Sequence, residues 1–327
     1  MATISFTSIV SKLGWVGSHV AHEALKAGLN IKLAIRNESK AEVVIDALEA
    51  IHGKGRIETV VVKDFAQEGA YDEAVKNVQG VIHTASDVSN SANADVVIKA
   101  VLKGYSNLFE AADKQKSIRR IVLTSSTDAL NTNDPSGKTK QHLDVNSWND
   151  AAVEAVKTHP TVFSVYSASK TLSERYAWDS IKTRKPSFVL NTIVPAFVFG
   201  AAIPGIPITS TGQWLVDSAR GKPTELQDSG AGFHIDVDDV ALLHIKALTR
   251  EDVKNERILA LGEHFNFNTV IDVIKKIKPD APTLDKRPEW DITDNSTFDV
   301  KRANELLEER GGIQSMKYSF RRNLKDV

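Results

Sequence analysis

No cysteine occurs among the 327 residues. That excludes a disulfide framework, a thiolate metal site and a cysteine nucleophile, and it removes the usual support for secretion. Neither sign of charge is in excess. The 41 Lys and Arg stand against 42 Asp and Glu, a formal charge of -1, so no overall field draws in a nucleic acid or an acidic membrane surface. Long hydrophobic runs are missing as well. The most apolar stretch, 188–203, is shorter than a comfortable membrane span and is interrupted by Asn191, Pro195 and Gly200, which favours a buried strand entering a loop. Residues 1–10 lack the basic start and long apolar core of a signal peptide. The expectation is a cytosolic protein with a small-molecule partner and neither nucleic acid nor membrane, as a monomer or homodimer.

What is present is an alternation of short β-rich runs with helical patterns over the first two hundred residues, the mark of βαβ crossovers and a parallel sheet. The expected strands are 4–10, 30–35, 57–62, 80–84, 120–124 and 188–194. Most are unbroken apolar runs, as helices covering both faces of a sheet require. Helices are expected at 16–27, where Val16, Val20 and Ala24 recur every four residues and Gly28 supplies a stop, and at 170–181. Past Pro195 the chain becomes loop-rich, with Pro204, Gly205, Pro207, Gly212, Gly221 and Pro223. Short helices then resume at 213–219, 237–248, 269–277 and 300–308, read as core pieces of a second lobe. The fold class expected is α/β: a Rossmann-type, doubly wound parallel sheet over residues 1–195. A smaller C-terminal lobe over 196–327 would mainly bind substrate, with some of its elements able to return to the first domain.

The turn after the first strand is the natural cradle for a dinucleotide pyrophosphate. Gly14-Trp15-Val16-Gly17 opens a helix there, where backbone N–H groups and the helix dipole favour an anion. A full glycine fingerprint would carry a third glycine three residues earlier, where Ser11 stands. A side chain held there in a strained backbone costs about 1–3 kcal/mol, equivalent to roughly tenfold or more in affinity. Two glycines three apart also suit a plain helix-packing turn. The second strand ends in Ile35-Arg36-Asn37, followed by Lys40. A cofactor without a 2′-phosphate usually meets a carboxylate here, whereas a guanidinium pairs with a phosphate; NADPH is therefore preferred to NADH. An exposed Arg and Lys on a solvated loop is the plainer alternative. By position, Asp64-Phe65 would reach the adenine, and Thr84-Ala85-Ser86 would line the ribose and pyrophosphate.

The chemistry points to Val165-Tyr166-Ser167-Ala168-Ser169-Lys170. A phenol and an ammonium four apart share one helix face. The cation favours phenolate and draws the tyrosine from about 10 toward neutrality, which suits a proton donor to a carbonyl oxygen. Upstream, Leu123-Thr124-Ser125-Ser126 ends the fifth strand, and ligands bind beyond such ends. Ser126 is the candidate carbonyl binder and Ser125 a helper near the cofactor, although strand-end serines also serve as helix caps. His83, His234 and His244 lie among apolar neighbours without paired ligand spacing, so no metal is expected. Trp214 and Phe197 are candidates to line an apolar pocket, or simply core.

Thr124-Ser125-Ser126, the run from Tyr166 through Lys170 to Glu174, and Asn191-Thr-Ile-Val-Pro195 together resemble the extended short-chain dehydrogenase/reductases. The nearest branch is that of the fungal carbonyl and methylglyoxal reductases, relatives of dihydroflavonol reductase. The likeness continues through Ser147-Trp148-Asn149, Ser210 to Trp214 and His234 to His244, and so spans nearly the whole chain. Only the first turn departs from it. The resemblance implies a Ser126, Tyr166 and Lys170 set, NADPH as hydride donor, Lys170 bonded to the nicotinamide ribose, and aldehydes or ketones as substrates. It also places Pro195, Phe197 and Val198 near the nicotinamide. The protein would then be an oxidoreductase acting on carbonyl or CH–OH groups. Some members use a helix asparagine as a proton relay; Asn107 is not its clear counterpart and reads as a buried polar residue. Two alternatives stay open, an epimerase or dehydratase relative and a cofactor-binding regulator with impaired turnover.

Overall fold

Short β-rich runs hydrogen-bond side by side in a seven-stranded sheet, and its central strands β4 and β5 are buried at every position, as helices covering both faces require. The computed structural model describes residues 7–11, 13–85, 91–131 and 140–325. The strands are β1 (Thr7–Ser11), β2 (Asn30–Ile35), β3 (Ile57–Val61), β4 (Gly80–His83) and β5 (Arg120–Thr124). A short β6 (His142–Leu143) precedes β7 (Val189–Pro195), β8 (Phe197–Phe199), β9 (Gly232–Asp236), β10 (Arg257–Ala260), β11 (His264–Phe265) and β12 (Thr297–Phe298). The main sheet has the order β10-β7-β5-β4-β1-β2-β3, and all its pairings are parallel. This is the doubly wound Rossmann arrangement, whose order reverses between β1 and β4. The register sets Ser11 beside Ala34 and His83, and Thr124 beside Ile193. One edge of the sheet therefore collects Ser11, Arg36, Thr84, Ser125 and Pro195.

The helices are α1 (Trp15–Lys26), α2 (Glu38–His52), α3 (Ala94–Asp113), α4 (Asp150–Thr158), α5 (Val162–Arg184) and α6 (Ser210–Ala219). After them come α7 (Glu225–Asp228), α8 (Val237–Thr249), α9 (Phe267–Ile277), α10 (Lys301–Leu306) and α11 (Met316–Asn323). The long α5 starts eight residues before the expected Lys170, because Thr161 and Ser164 form a reciprocal capping box. Two apolar layers flank the sheet, one under α1, α2 and α8 and the other under α3 and α5. A third cluster joins β8, α6, β11, α9 and α11 around Phe199, Phe265 and Phe320.

The helix over 237–248 packs on α1 and on β4, β5 and β7 as well as on β8 and β9, and α10 packs on α8 and β10. Helical periodicity shows that a face is apolar without showing which sheet it covers. Residues 4–6 of the expected first strand lie outside the described residues, and the described part of β1, Thr7–Ser11, runs one residue past the expected end, which makes Ser11 a strand residue. Extended backbone is open to any residue, so the left-handed strain expected at that position does not arise. Among the described residues, no helix is long and apolar enough to cross a membrane.

Candidate active site at the carboxyl edge of the sheet

At the cofactor end, Gly14 is the N-cap of α1 and supplies no side-chain cap, which leaves the first-turn N–H groups without the usual internal acceptor. A Cβ built on Gly14 would meet nothing within 4 Å. The chain approach is therefore open where an anion would sit, and the turn fits a pyrophosphate. Val16 and Gly17 belong to that first turn. Trp15 does too, but its side chain is core: it is buried, and its indole N–H donates to the carbonyl of Val198 at 3.0 Å. Any contact from Trp15 to a ligand would come from its backbone.

Arg36 is exposed at the end of β2. Lys40 lies in α2, with its side chain outside the described set, and Ser86 lies outside the described residues. Asp64 is exposed, and one of its carboxylate oxygens accepts the N–H of Ala66 at 2.9 Å, a local Asx turn. Phe65 packs its ring on α3, where a Cβ on Gly104 would fall 2.4 Å from Phe65 Cδ2; only glycine admits that approach. Asn107, one turn further, donates its amide to the carbonyls of Phe65 and Gln67 at 3.0 and 2.7 Å. It is a buried residue that pins the loop after β3. Thr84 and Ala85 are half-buried at the end of β4.

Around β5 the hydroxyls divide their work. Thr124 Oγ1 lies 2.7 Å from His244 Nε2, and His244 Nδ1 lies 2.7 Å from the Val240 carbonyl. The imidazole thus donates from Nδ1 and accepts from the threonine, and burial pushes it down to about 4. Ser125 donates to Glu174 Oε2 at 2.6 Å. Its proton is directed into the protein, toward the Glu174 carboxylate. Ser126 caps the short 3-10 turn 127–129; its Oγ accepts the N–H of Asp128 at 3.2 Å and donates to Asp128 Oδ2 at 2.8 Å.

Helix α5 presents the remaining groups. Tyr166 is half-buried and Lys170 is buried. Lys170 Nζ lies 5.8 Å from the Tyr166 ring centroid and donates to the Thr124 carbonyl at 3.1 Å. One residue along from Tyr166, Ser167 donates to Asp128 Oδ1 at 3.1 Å. The fold therefore brings the Tyr166–Lys170 face of α5 against the strand end that carries Ser126. Behind it, Glu174 receives Arg257 at 2.9 and 3.0 Å, Thr192 at 2.7 Å and Ser125. Arg257 lies 3.8 Å from the Trp148 ring centroid. Sequence reasoning gave no role to Asp128 or Arg257. The Ser-x-Asp spacing was a readable turn signal, whereas Arg257 is 83 residues from its carboxylate.

Pro195 ends β7 and is followed by Ala196, whose N–H donates to the Ala260 carbonyl. Val198 is buried and Phe197 half-buried, its ring 5.3 Å from Phe265 in an edge-on contact. Trp214, half-buried on α6, packs at the border of the third cluster. The other two histidines are also spent internally: His83 Nε2 lies 2.9 Å from the Tyr71 hydroxyl, and His234 Nε2 lies 3.0 Å from the Gln314 carbonyl.

The model of the 3-beta hydroxysteroid dehydrogenase/isomerase family matches residues 9–265. The NAD-dependent epimerase/dehydratase terH of Aspergillus terreus is 34% identical over 89% of this chain and 85% of its own length. Aldehyde reductase 2 of Sporidiobolus salmonicolor is 31% identical over 97% of this chain and 94% of its own. Among solved structures, Gre2 of Candida albicans in complex with NADPH superposes with a TM-score of 0.84 at 24% identity, covering 98% of this chain and 99% of that one. That likeness concerns the fold.

Proposed function

Because the chain belongs to the 3-beta hydroxysteroid dehydrogenase/isomerase family, within the extended short-chain dehydrogenase/reductases, we propose that it reduces aldehydes or ketones to alcohols with NADPH. Carbonyl reduction in general is supported by reductase relatives such as aldehyde reductase 2. The observation that carries the finer reading is the placement of α5. Tyr166 and Lys170 lie one turn apart, and Lys170 is tied to the Thr124 carbonyl two residues before Ser126.

When bound, reduced nicotinamide supplies the hydride to the carbonyl carbon. The chain's own residues do the rest. Ser126 and Tyr166 hold the carbonyl oxygen; Tyr166 gives up its phenolic proton as negative charge grows there; and the Lys170 ammonium favours the resulting phenolate and bonds the ribose. Gly14, Val16, Gly17 and the backbone of Trp15 would hold the pyrophosphate, with Thr84 and Ala85 beside it. Exposed Arg36, at the end of β2, would pair with the 2′-phosphate. Phe197 and Trp214 border the substrate side. A second reading, non-reductive epimerase or dehydratase chemistry, draws on the name given to the terH relative.

Steady-state oxidation of NADPH and NADH against a panel of aldehydes and ketones tests the proposal. The expected result is turnover with NADPH, favoured over NADH by about tenfold or more in kcat/KM, a preference that Arg36→Glu abolishes. Turnover with NADH alone would remove the role given to Arg36, and no carbonyl reduction with either cofactor would favour the second reading.

A further inference from the structure

Resting on the reading of Ser126 as the carbonyl-binding hydroxyl, one contact at the site is at odds with that task. A serine has a single proton to give, and Ser126 gives it to Asp128 Oδ2 at 2.8 Å. The same Oγ already accepts the backbone N–H of Asp128 at 3.2 Å. Ser126 in this arrangement faces an incoming carbonyl oxygen with a lone pair and no donor. Asp128 is moreover held from both sides, because Oδ1 takes the Ser167 hydroxyl at 3.1 Å and Asn149 donates to the Asp128 carbonyl at 2.7 Å. Ser167 adjoins Tyr166, so this one carboxyl links the strand-end serine to the helix that carries the phenol.

We propose that Asp128 is a positioning residue for carbonyl reduction: its carboxyl decides whether the Ser126 hydroxyl points inward or toward substrate. With the carboxyl ionised, the Ser126 proton is held by Oδ2. With it neutral, Oδ2 becomes the donor to Ser126 Oγ, and the Ser126 proton is released to the carbonyl oxygen. Atoms balance without any net transfer, since Asp128 keeps its proton through turnover and only the direction of two hydrogen bonds changes. Burial raises Asp128 above the usual carboxylate range, against the opposing pull of the Ser126 and Ser167 hydroxyls and Lys170, so the neutral form lies nearer to working pH than for an ordinary aspartate.

Among the described residues, the charged groups facing it come from one helix. Helix α5, which packs on this turn, contributes the Lys170 cation and the titratable Tyr166, while β7, Val189–Pro195, carries no titratable side chain. An ionised Asp128 would also place negative charge beside the oxygen where negative charge develops, which opposes reduction for the same reason that donors assist it.

The test is the pH profile of kcat/KM for reduction of isovaleraldehyde by NADPH from about pH 5 to 9, in the wild type, Asp128→Asn and Asp128→Ala, with thermal melts to confirm folding. The Asn amide donates to Ser126 Oγ as the neutral acid does. Asp128→Asn is therefore expected to lose one descending limb of the profile and, at about pH 8, to match or exceed the wild type by up to about tenfold through a lower KM. Asp128→Ala, which orients nothing, is expected to raise KM several-fold, and Asn is thus the rescuing variant. An Asn profile with the wild-type shape, or Asn and Ala impaired alike, overturns the proposal. Ser126→Ala separates this from the underlying reading. If that variant keeps the wild-type kcat/KM, the assignment of Ser126 has failed; if it is impaired while Asp128→Asn behaves as wild type, only the role of Asp128 has failed.

Discussion

Single residues at this site are committed to partners more completely than their types suggest. His244 is the clearest case, a neutral imidazole bridging Thr124 and Val240 with its titration pushed down to about 4. An unfolded histidine titrates near 6.5, so between these values the unfolded chain binds a proton that the native one refuses. Stability from this residue is present above pH 6.5 and is lost as pH falls toward 4, by up to about 3 kcal/mol. Buried Asp236 and Asp239 are raised and act in the opposite direction, so the measurement is a difference. Urea unfolding at about pH 7 and pH 5 should show the wild type losing more stability than His244→Gln, and equal losses would contradict the bridge. The sequence marked Tyr166, Lys170 and Ser126 because they stand at a readable spacing and a readable strand end. It left Asp128 unmarked, since a carboxyl two residues past a serine reads as a turn until the burial of that turn is known. Ser125 shows the reverse, a serine in a site-like position whose proton goes to Glu174.

At the scale of elements, six of the seven strands of the main sheet were legible, the central ones because helices cover both faces and leave unbroken apolar runs. The elements after Pro195 were less so. The strands β8 and β11 have three and two residues, too few for any period to register. β10, Arg257–Ala260, was not expected, though it closes one edge of the large sheet. The first turn is where the elements refine an expectation. With Ser11 in β1, any penalty for the absent glycine is crowding against a ligand rather than backbone strain. Ser11→Gly should then tighten NADPH by roughly three- to tenfold in a fluorescence titration, at a stability cost of about 0.5–1 kcal/mol for glycine in a strand. Identical affinities would mean that the serine costs nothing there.

Across the whole molecule, the C-terminal part is woven back into the first domain. α8 covers the sheet beside α1, and Arg257 on β10 carries the buried pair with Glu174 of α5, their side chains 5% and 2% exposed. The same guanidinium donates to the carbonyls of Val145 and Ser147 and stacks on Trp148. One residue thus fastens the outer strand, the α5 helix and the segment leading into α4. Removing one member of such a pair strands a buried charge, and Arg257→Met should lower unfolding stability by about 3–5 kcal/mol, with Glu174→Gln in the same protein restoring part of it. A loss below about 1 kcal/mol would show that the pair is not holding these elements together.

The central claim is that the α5 phenol delivers the proton in carbonyl reduction, and its most direct measurement is NADPH consumption by Tyr166→Phe at saturating aldehyde, alongside a titration of NADPH binding. Loss of general acid catalysis predicts kcat lower by about 10²–10⁴-fold, with NADPH affinity little changed. A Tyr166→Phe protein that turns over at the wild-type rate would contradict the account.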